Sequence, residues 1–474
     1  MGQEISHSHF SAEDFELFSE RLREETELLH SWQADGVFSE QPLHVGFELE
    51  AWLLDEHLHP APQNERFLQQ LNHPLAVPEL AQFNFELNSL PRLLQGNVFD
   101  RMYVELQNTW QRCQQSAAAL QLQLASIGIL PSARLADFRL ENMSSLQRYS
   151  ALNEQVLRMR ERKPLQFSIN GIDQLEIDHP DVMLEAATTS FQIHLQMPID
   201  KAARLYNAAK VIAAPMAALS ANSPFLFGKN LWSETRIPVF EQSVQVGQSD
   251  LTKRVSFGIR YAQDNILEVF DSNLSRYPIL LPRVMNEPPE SLAHLRLHNG
   301  TIWRWNRPLI GFDVDGTPHF RLEHRVVPSG PTLLDSIANA AFFYGLVIDM
   351  AYNVPAPESL LPFELARRNF YDCARHGLNA NVVWLNGELL QVAGLCLQQL
   401  LPQAQAGLRR MQIDEAEISR WLGLIEQRVE TRRNGSAWQR AWVAHYGADM
   451  TALTRAYLER QDSQMPVHSW KVKD

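Results

Sequence analysis

Alternation of apolar and polar residues predicts four β-strands, and longer stretches of helical periodicity separate them. The predicted strands are Leu43–Asp55, Gln82–Asn88, Glu185–Met197 and Pro318–Val327. The predicted helices are Ser11 to about Trp32, Val98–Ser126, Asp200–Ser220 and Leu333–Tyr352. After about Glu364 nearly every stretch has helical periodicity, apart from Val382–Leu385. Strands mixed irregularly with helices, without βαβ alternation, predict an α+β fold with an antiparallel sheet.

The domain organisation follows from the absence of repeats and low-complexity linkers in the sequence. The proline-rich stretch Val354–Pro362 is the best candidate for a boundary. We therefore predict one domain over residues 1–474, with a core of about 40–355 and a mainly helical C-terminal extension of about 356–474.

Each predicted strand has one face that carries charged or hydrogen-bonding side chains. Residues i and i+2 of a strand share a face, so Glu48 and Glu50 lie side by side opposite an apolar face. The other three strands add Glu86, then His194, and finally Arg321, Glu323 and Arg325. An ordinary solvated sheet face is the simplest interpretation of any one strand taken alone.

Taken together, the four faces favour a different interpretation, because crowded carboxylates repel one another. Mg²⁺ or Mn²⁺ removes that repulsion and prefers carboxylate oxygens with an occasional imidazole nitrogen. Arg321 and Arg325 offer planar, bidentate recognition of phosphate or carboxylate groups. No phosphate-binding glycine loop is present, so these features predict a nucleotide held through metal ions and arginines.

Composition narrows the class of protein and its partners. Apolar residues make up 45% of the chain and charged residues 20%, which indicates a globular protein with a large core. The net charge of −13, without a basic run, makes nucleic acid and anionic membranes poor partners. The apolar stretches Val211–Ala221 and Ile337–Ala351 are too short or too interrupted to span a bilayer. Three scattered cysteines and a polar N-terminus lead us to expect a cytoplasmic protein.

The acidic and basic residues stand in segments that resemble a known family. The segments are Gly46–Glu50, Glu86–Ser89, Thr188–His194, Leu219–Phe225 with Gly228 and Arg236, Thr301–Trp305, Arg321–Arg325, and Asn369 with Ala374–Leu378. In this order they resemble the glutamate–cysteine ligase family, in particular its bacterial and plant-type carboxylate–amine ligase branch. The resemblance extends from about residue 44 to residue 380.

The resemblance implies both a fold and a reaction. The implied fold is that of glutamine synthetase, a curved antiparallel sheet flanked by helices whose concave face binds two or three Mg²⁺ ions and ATP. In the implied reaction, the γ-carboxylate of glutamate attacks ATP to give an acyl phosphate and ADP. An amine, such as cysteine, then displaces phosphate to form an amide, a step of glutathione biosynthesis.

The resemblance also implies roles for individual residues. Glu48, Glu86 and Glu323 would hold one set of metal ions, Glu50 and His194 another, and Glu79 is a weaker candidate ligand. The implied substrate contacts are Arg236 with the substrate carboxylate, Arg325 with the transferring phosphoryl group, and Arg321 and Arg304 with nucleotide or substrate. Phosphoryl transfer needs such positioning and charge neutralisation more than it needs a nucleophilic side chain.

Three alternatives remain open at this point. The same site can join a different amine, such as a small biogenic amine or another amino acid. Clustered carboxylates with a histidine also serve two-metal hydrolysis, so a phosphohydrolase is the second alternative. The third alternative is a non-catalytic binding protein on a ligase scaffold.

Overall fold

The computed structural model of the chain describes residues 10–247, 253–353 and 355–473. Its strands are β1 His44–Leu54, β2 Ala76–Pro78, β3 Asn84–Asn88, β4 Arg92–Leu93, β5 Gln123–Ala125, β6 Leu165–Asn170, β7 Gln174–His179, β8 Phe191–Met197, β9 Phe225–Leu226, β10 Lys229–Asn230, β11 Asn306–Phe312, β12 Pro318–His324, β13 Asn381–Val383 and β14 Leu389–Gln391. Its helices are α1 Ala12–Ala34, α2 Asn64–Leu71, α3 Val98–Ala119, α4 Gln147–Met159, α5 Ile199–Ser220, α6 Arg236–Ser243, α7 Leu267–Arg276, α8 Ala293–Gly300, α9 Leu333–Tyr352, α10 Pro357–Leu360, α11 Phe363–His376, α12 Val392–Leu395, α13 Leu401–Arg410, α14 Glu415–Glu430, α15 Gly435–Tyr446 and α16 Met450–Asp462.

One curled antiparallel half-barrel sheet of eight strands dominates the described residues. Its strand order is β11-β12-β8-β1-β3-β2, and β4 and β5 also pair with β1. The four strands predicted from alternation are therefore β1, β3, β8 and β12, and they lie next to one another. The α+β fold with a curved antiparallel sheet flanked by helices is confirmed.

The apolar face of this sheet packs against helices α5 and α9. Phe47 of β1 lies against Phe191 of β8, with ring centroids 5.2 Å apart, and both side chains are buried. The hydroxyl of Tyr344 in α9 lies 2.9 Å from the Gly46 carbonyl oxygen, which accepts its hydrogen bond. These contacts leave the opposite, polar face of the sheet to form the site.

Two predicted elements are shorter in the structure than periodicity indicated. The helix predicted over Val98–Ser126 ends at Ala119, because Gln121 takes a left-handed backbone conformation and residues 123–125 join the sheet as β5 beside β1. The strand predicted from Glu185 begins only at Phe191. Residues 182–187 form a 3₁₀-helix instead, and the Asp181 side chain caps it by accepting a hydrogen bond from the Met183 amide.

Helix α9 lies at the centre of the fold. By length and composition it is apolar enough to cross a membrane, contrary to the expectation from sequence. However, 94% of its apolar window is buried inside the protein, as in the core helix of a globular protein. We therefore interpret α9 as a buried core helix, whose apolar side chains pack inside the protein.

The helices that follow residue 355 pack on the core. Helices α13 and α14 contact α9, and α11 contacts α5. Arg428 of α14 forms a fully buried ion pair with Asp335 of α9, with 2.8 Å between Nη2 and Oδ1. The division into a core and an extension stays a prediction. Residue 354, within the proposed boundary, and the polar N-terminus at residues 1–9 lie outside the described residues.

Candidate active site

The sheet register brings the predicted acidic residues together. Glu50 of β1 lies opposite Glu86 of β3, and Glu323 of β12 lies opposite His194 of β8. Glu48 lies one pleat along β1 from Glu50, on the same polar face. Side chains that are far apart in the sequence thus form two adjacent clusters with metal-ligand chemistry.

The first cluster comprises Glu48, His194 and Glu323, whose potential ligand atoms all lie within 4.8 Å of one another. Nε2 of His194 lies 3.4 Å from Glu48 Oε1, whereas the buried Nδ1 has no hydrogen-bond partner among the described residues. A buried imidazole nitrogen without a partner is costly unless a ligand satisfies it. The cluster therefore fits a cation held by two carboxylates and one imidazole.

The second cluster comprises Glu50, Glu79 and Glu86. Burial and the charge of Glu79 raise the pKa of Glu50 to about 7, although Glu50 accepts hydrogen bonds from Ser190. Burial and the charges of Glu48 and Glu79 raise the pKa of Glu86 well above its usual value. Two carboxyls with raised pKa values, with the Glu79 carboxyl beside them, are suited to bind a hard divalent cation.

The two clusters divide the acidic residues differently from the arrangement that the resemblance implied. His194 lies with Glu48 and Glu323, not with Glu50, and Glu86 lies with Glu50. Glu79, the weaker candidate, completes the second cluster. The reason is the register, which sets β8 between β1 and β12 and leaves β3 on the far side of β1.

Two arginines hold Glu323 from either side. Arg307 donates through Nε and Nη2 to the two carboxylate oxygens, each at 2.9 Å, and Arg325 Nη1 donates to Oε2 at 3.1 Å. Burial raises the pKa of Glu323, but the charges of Arg307 and Arg325 outweigh burial and lower this pKa to about 2. Glu323 is therefore ionised at neutral pH. Arg325 Nη1 also donates to Gln192 Oε1 at 2.6 Å.

Glu48, the three residues of the second cluster and the two arginines that hold Glu323 border a cavity of about 1360 Å³, a volume that includes its opening to solvent. Its lining has an acidic end, an arginine-rich wall and an apolar wall. The acidic end comprises Glu48, Glu50, Glu79, Glu86 and Glu185, the arginines include Arg296, Arg307, Arg321 and Arg325, and the apolar wall includes Leu281, Leu297, Leu309, Ile310 and Trp303. Polar groups that converge at one end of a partly apolar cavity are typical of sites that bind small molecules.

Sequence reasoning missed Arg307, Arg296 and Glu185. Arg307 lies on β11, which was not predicted as a strand, although the turn residues Asp315 and Gly316 before β12 are typical of a hairpin. Glu185 was assigned to a strand and in fact reaches the cavity from the 3₁₀-helix. Arg296 belongs to α8, and no motif marked it.

Two predicted arginines are not among the residues that line this cavity, although both neighbour residues that do. Arg236 is 2% exposed, and it donates to Glu234 at 3.2 Å and to the backbone oxygens of Arg325 and Val326. These bonds position the chain after β12, and the contact of Arg236 with the substrate carboxylate stays a prediction. Arg304 is 3% exposed and borders a second, smaller cavity.

We expect replacement of Glu185 by glutamine to change how stability depends on pH. Burial and the charges of Glu79 and Glu50 raise the pKa of Glu185 to about 8. The native protein therefore loses stability, relative to acidic pH, as pH rises from the unfolded-state pKa of about 4.3 towards about 8. Glutamine cannot ionise, so Glu185→Gln should be more stable than wild type at about pH 8.5, by on the order of 1–2 kcal/mol after solvent screening.

Thermal melts of both proteins in EDTA, from about pH 4 to about pH 8.5, measure this difference. The gain should vanish at the acidic end, where wild-type Glu185 is protonated in both states. A difference that does not vary with pH would contradict the raised pKa.

Comparison with known proteins identifies the family. The sequence model that describes glutamate–cysteine ligase family 2 matches residues 44–459 of this chain. A protein of Trichormus variabilis, provisionally named glutamate–cysteine ligase 2, is 26% identical over 203 residues, which cover 41% of this chain and 44% of that protein. This match thus spans less than half the length of that relative.

Solved structures share the fold. A glutamate–cysteine ligase from Francisella tularensis, in complex with AMP, superposes with a TM-score of 0.60 at 12% identity, covering 92% of this chain and 91% of that one. A bifunctional glutathione synthetase from Pasteurella multocida gives a TM-score of 0.54 at 11% identity, covering 92% and 55% of the two chains. The chain belongs to glutamate–cysteine ligase family 2.

Proposed function

We propose that the protein joins the γ-carboxylate of glutamate to an amine, with cysteine as the first candidate, and forms ADP and phosphate through an acyl phosphate. The observation that carries this proposal is one cavity lined at one end by Glu48 of the first cluster and by all three carboxylates of the second, with Arg321 and Arg325 also in its lining. This arrangement suits phosphoryl transfer, in which metal ions and arginines neutralise charge on the transferring group.

The residues present fit divalent cations. Among the described residues His194 Nδ1 has no hydrogen-bond partner, and burial and neighbouring charges oppose the ionisation of Glu50 and Glu86; a bound cation would relieve both costs. Glu48, His194 and Glu323 would hold one Mg²⁺ or Mn²⁺ ion, and Glu50, Glu79 and Glu86 another. When bound, the ions supply charge neutralisation to the phosphates of ATP.

Arg325 and Arg321 complete the charge neutralisation. The Arg325 guanidinium is fixed by Glu323 and Gln192, so its remaining N–H groups are pre-oriented towards the cavity. Arg321 also lines the cavity, and its buried Nε has no hydrogen-bond partner within residues 10–247, 253–353 and 355–473. Donors fixed before substrate binds stabilise a transition state without reorganisation.

The proposed reaction has two steps. A carboxylate oxygen of the first substrate attacks the γ-phosphorus, the bond to the ADP oxygen breaks, and ADP leaves with its electron pair. The amine nitrogen then attacks the carbonyl carbon, and phosphate leaves with the oxygen that formed the acyl phosphate. The amine loses its proton to solvent or to a cavity carboxylate, so no oxidant or reductant is needed.

Glutamate and cysteine are proposed as substrates because the matched family and the named relatives carry those substrates in their names. A place in glutathione biosynthesis follows only if both substrates are correct. A different amine on the same cavity leaves the reaction class unchanged.

A screen of ATP consumption tests the proposal. ADP release should require Mg²⁺ or Mn²⁺, an acidic amino acid and an amine together, and mass spectrometry should find an amide formed with loss of water. ADP release with metal alone would favour the phosphohydrolase. No stimulation by any amino acid across a broad screen would contradict the ligase.

A further inference from the structure

A second cavity is bordered by Arg304, whose chain neighbour Trp303 lines the active-site cavity. It measures about 280 Å³, including its opening, and its lining includes Tyr206, Arg260, Tyr261, Ser272 and Arg304. Three of these residues have buried hydrogen-bonding atoms that find no partner in the part of the chain that the structure describes, namely Arg304 Nε and Nη2, Tyr261 Oη and Ser272 Oγ. Native structures rarely leave so many buried polar atoms unsatisfied in one place.

The charge at this cavity is also unbalanced. Lys210 is fully buried, and both Lys210 and Arg304 lie next to Gly258. A Cβ atom placed on Gly258 would be 2.7 Å from Lys210 Nζ and 4.0 Å from Arg304 Cδ. Among the described residues neither cation forms an ion pair, and Lys210 Nζ donates to the Phe257 carbonyl oxygen at 2.5 Å. Buried cations without a counter-ion are costly. Burial and the charge of Arg304 accordingly lower the pKa of Lys210 well below its usual value.

The carboxylate that borders this cavity is already neutralised. Glu268 pairs with Arg260, with 2.8 Å between Oε2 and Nη1, and its Oε1 accepts from the backbone amides of Gln263 and Asp264. Arg304 contacts the Tyr277 ring instead, with its guanidinium carbon 5.6 Å from the ring centroid. Among the described residues, the guanidinium at the wall of this cavity therefore has no carboxylate partner, and the basic side chain of Lys210 lies beside it.

We propose that this second cavity binds a small oxyanion, a phosphate or carboxylate group, held by Arg304 with the hydroxyls of Tyr261 and Ser272. Arginine with hydroxyl donors is the chemistry that recognises such groups. The second cavity is much smaller than the active-site cavity. It therefore suits a small oxyanion better than a nucleotide.

The occupied site would communicate with the active site through the segment Trp303–Trp305. Trp303 lines the active-site cavity, Arg304 borders the second cavity, and the Trp305 carbonyl oxygen accepts a hydrogen bond from the Arg325 amide at 2.9 Å. An anion bound to Arg304 would therefore restrict the motion of Trp303 and Trp305 on either side of it. This inference does not depend on the proposed reaction, because anion binding can be measured without ATP, metal or substrates.

Thermal melts in EDTA test the proposal, with sodium phosphate or sodium acetate compared against sodium chloride at equal ionic strength. At about ten times the dissociation constant, the anion should raise the Tm of the wild type by about 1–2 °C. Arg304→Met keeps the aliphatic stem and should abolish the rise, and Tyr261→Phe should reduce it. Arg321→Met, in the active-site cavity, should keep the rise.

Each outcome of the melts bears on the site. A rise with phosphate alone, or with acetate alone, supports the site and identifies the group that it prefers. Arg304→Met should also melt no lower than the wild type in chloride, because it removes an uncompensated buried charge. A rise that persists in both Arg304→Met and Tyr261→Phe, a rise lost in Arg321→Met, or no rise with either anion would overturn the proposal.

Discussion

Replacement of Arg325 by lysine should lower kcat by on the order of 10²–10³-fold, the cost of removing one fixed donor from a developing charge. Arg325 donates through Nη1 to both Gln192 and Glu323, which leaves the rest of its planar fork for a phosphoryl group. Lysine keeps the charge but cannot hold both partners and a phosphate in one plane. Folding should survive, because Arg307 still pairs with both oxygens of Glu323.

Steady-state kinetics and thermal melts of Arg325→Lys separate the two effects. Arg134→Lys is a matched control, since Arg134 pairs with Asp137 at the surface and lies outside the residues that line the cavity. Its kcat should equal that of the wild type. Loss of soluble protein for Arg325→Lys would mean that Arg325 is a structural partner of Glu323. A nearly unchanged kcat would remove it from the phosphoryl-binding groups.

Replacement of Arg428 by methionine should lower the free energy of unfolding by about 3–5 kcal/mol, the cost of leaving a buried charge unpaired. Arg428 joins α14 to α9 through Asp335 at 2.8 Å and Asn339 at 2.5 Å, and both members of the ion pair are almost fully buried. Asp335 would keep only the hydrogen bonds from Thr332 and from the Val467 amide.

Urea unfolding followed by tryptophan fluorescence measures this loss. Arg409→Met is the control, because the Arg409–Glu415 pair is exposed on both sides and should leave the urea midpoint unchanged. Equal midpoints for Arg428→Met and the wild type would show that the C-terminal helices do not stabilise the core through this pair.

Much of the site was predictable because a strand's alternation fixes which side chains share a face. Glu48, Glu50, Glu86, His194 and Glu323 all came from that rule, and the structure gathers them on one face. Alternation is a local property, however, and does not state which strands are neighbours. The order β12-β8-β1-β3 decides the grouping of the ligands, and that order depends on long-range pairing.

The arginines were harder to assign for a related reason. A guanidinium reaches several ångströms from its backbone, so its position in the sequence does not fix its partners. Arg236 and Arg304 lie in segments that resemble the family. However, Arg236 is buried against Glu234, and Arg304 borders the second cavity. Arg307, which carries no motif of its own, instead holds Glu323.

The most direct test of the central claim follows one oxygen atom. The acidic substrate is prepared with oxygen-18 in its side-chain carboxylate, and the phosphate released during turnover is analysed by mass spectrometry. If the carboxylate attacks ATP and the amine then displaces phosphate, each phosphate should carry one labelled oxygen from the substrate. Unlabelled phosphate, or phosphate that takes its label only from oxygen-18 water, would contradict the acyl-phosphate ligase and favour hydrolysis.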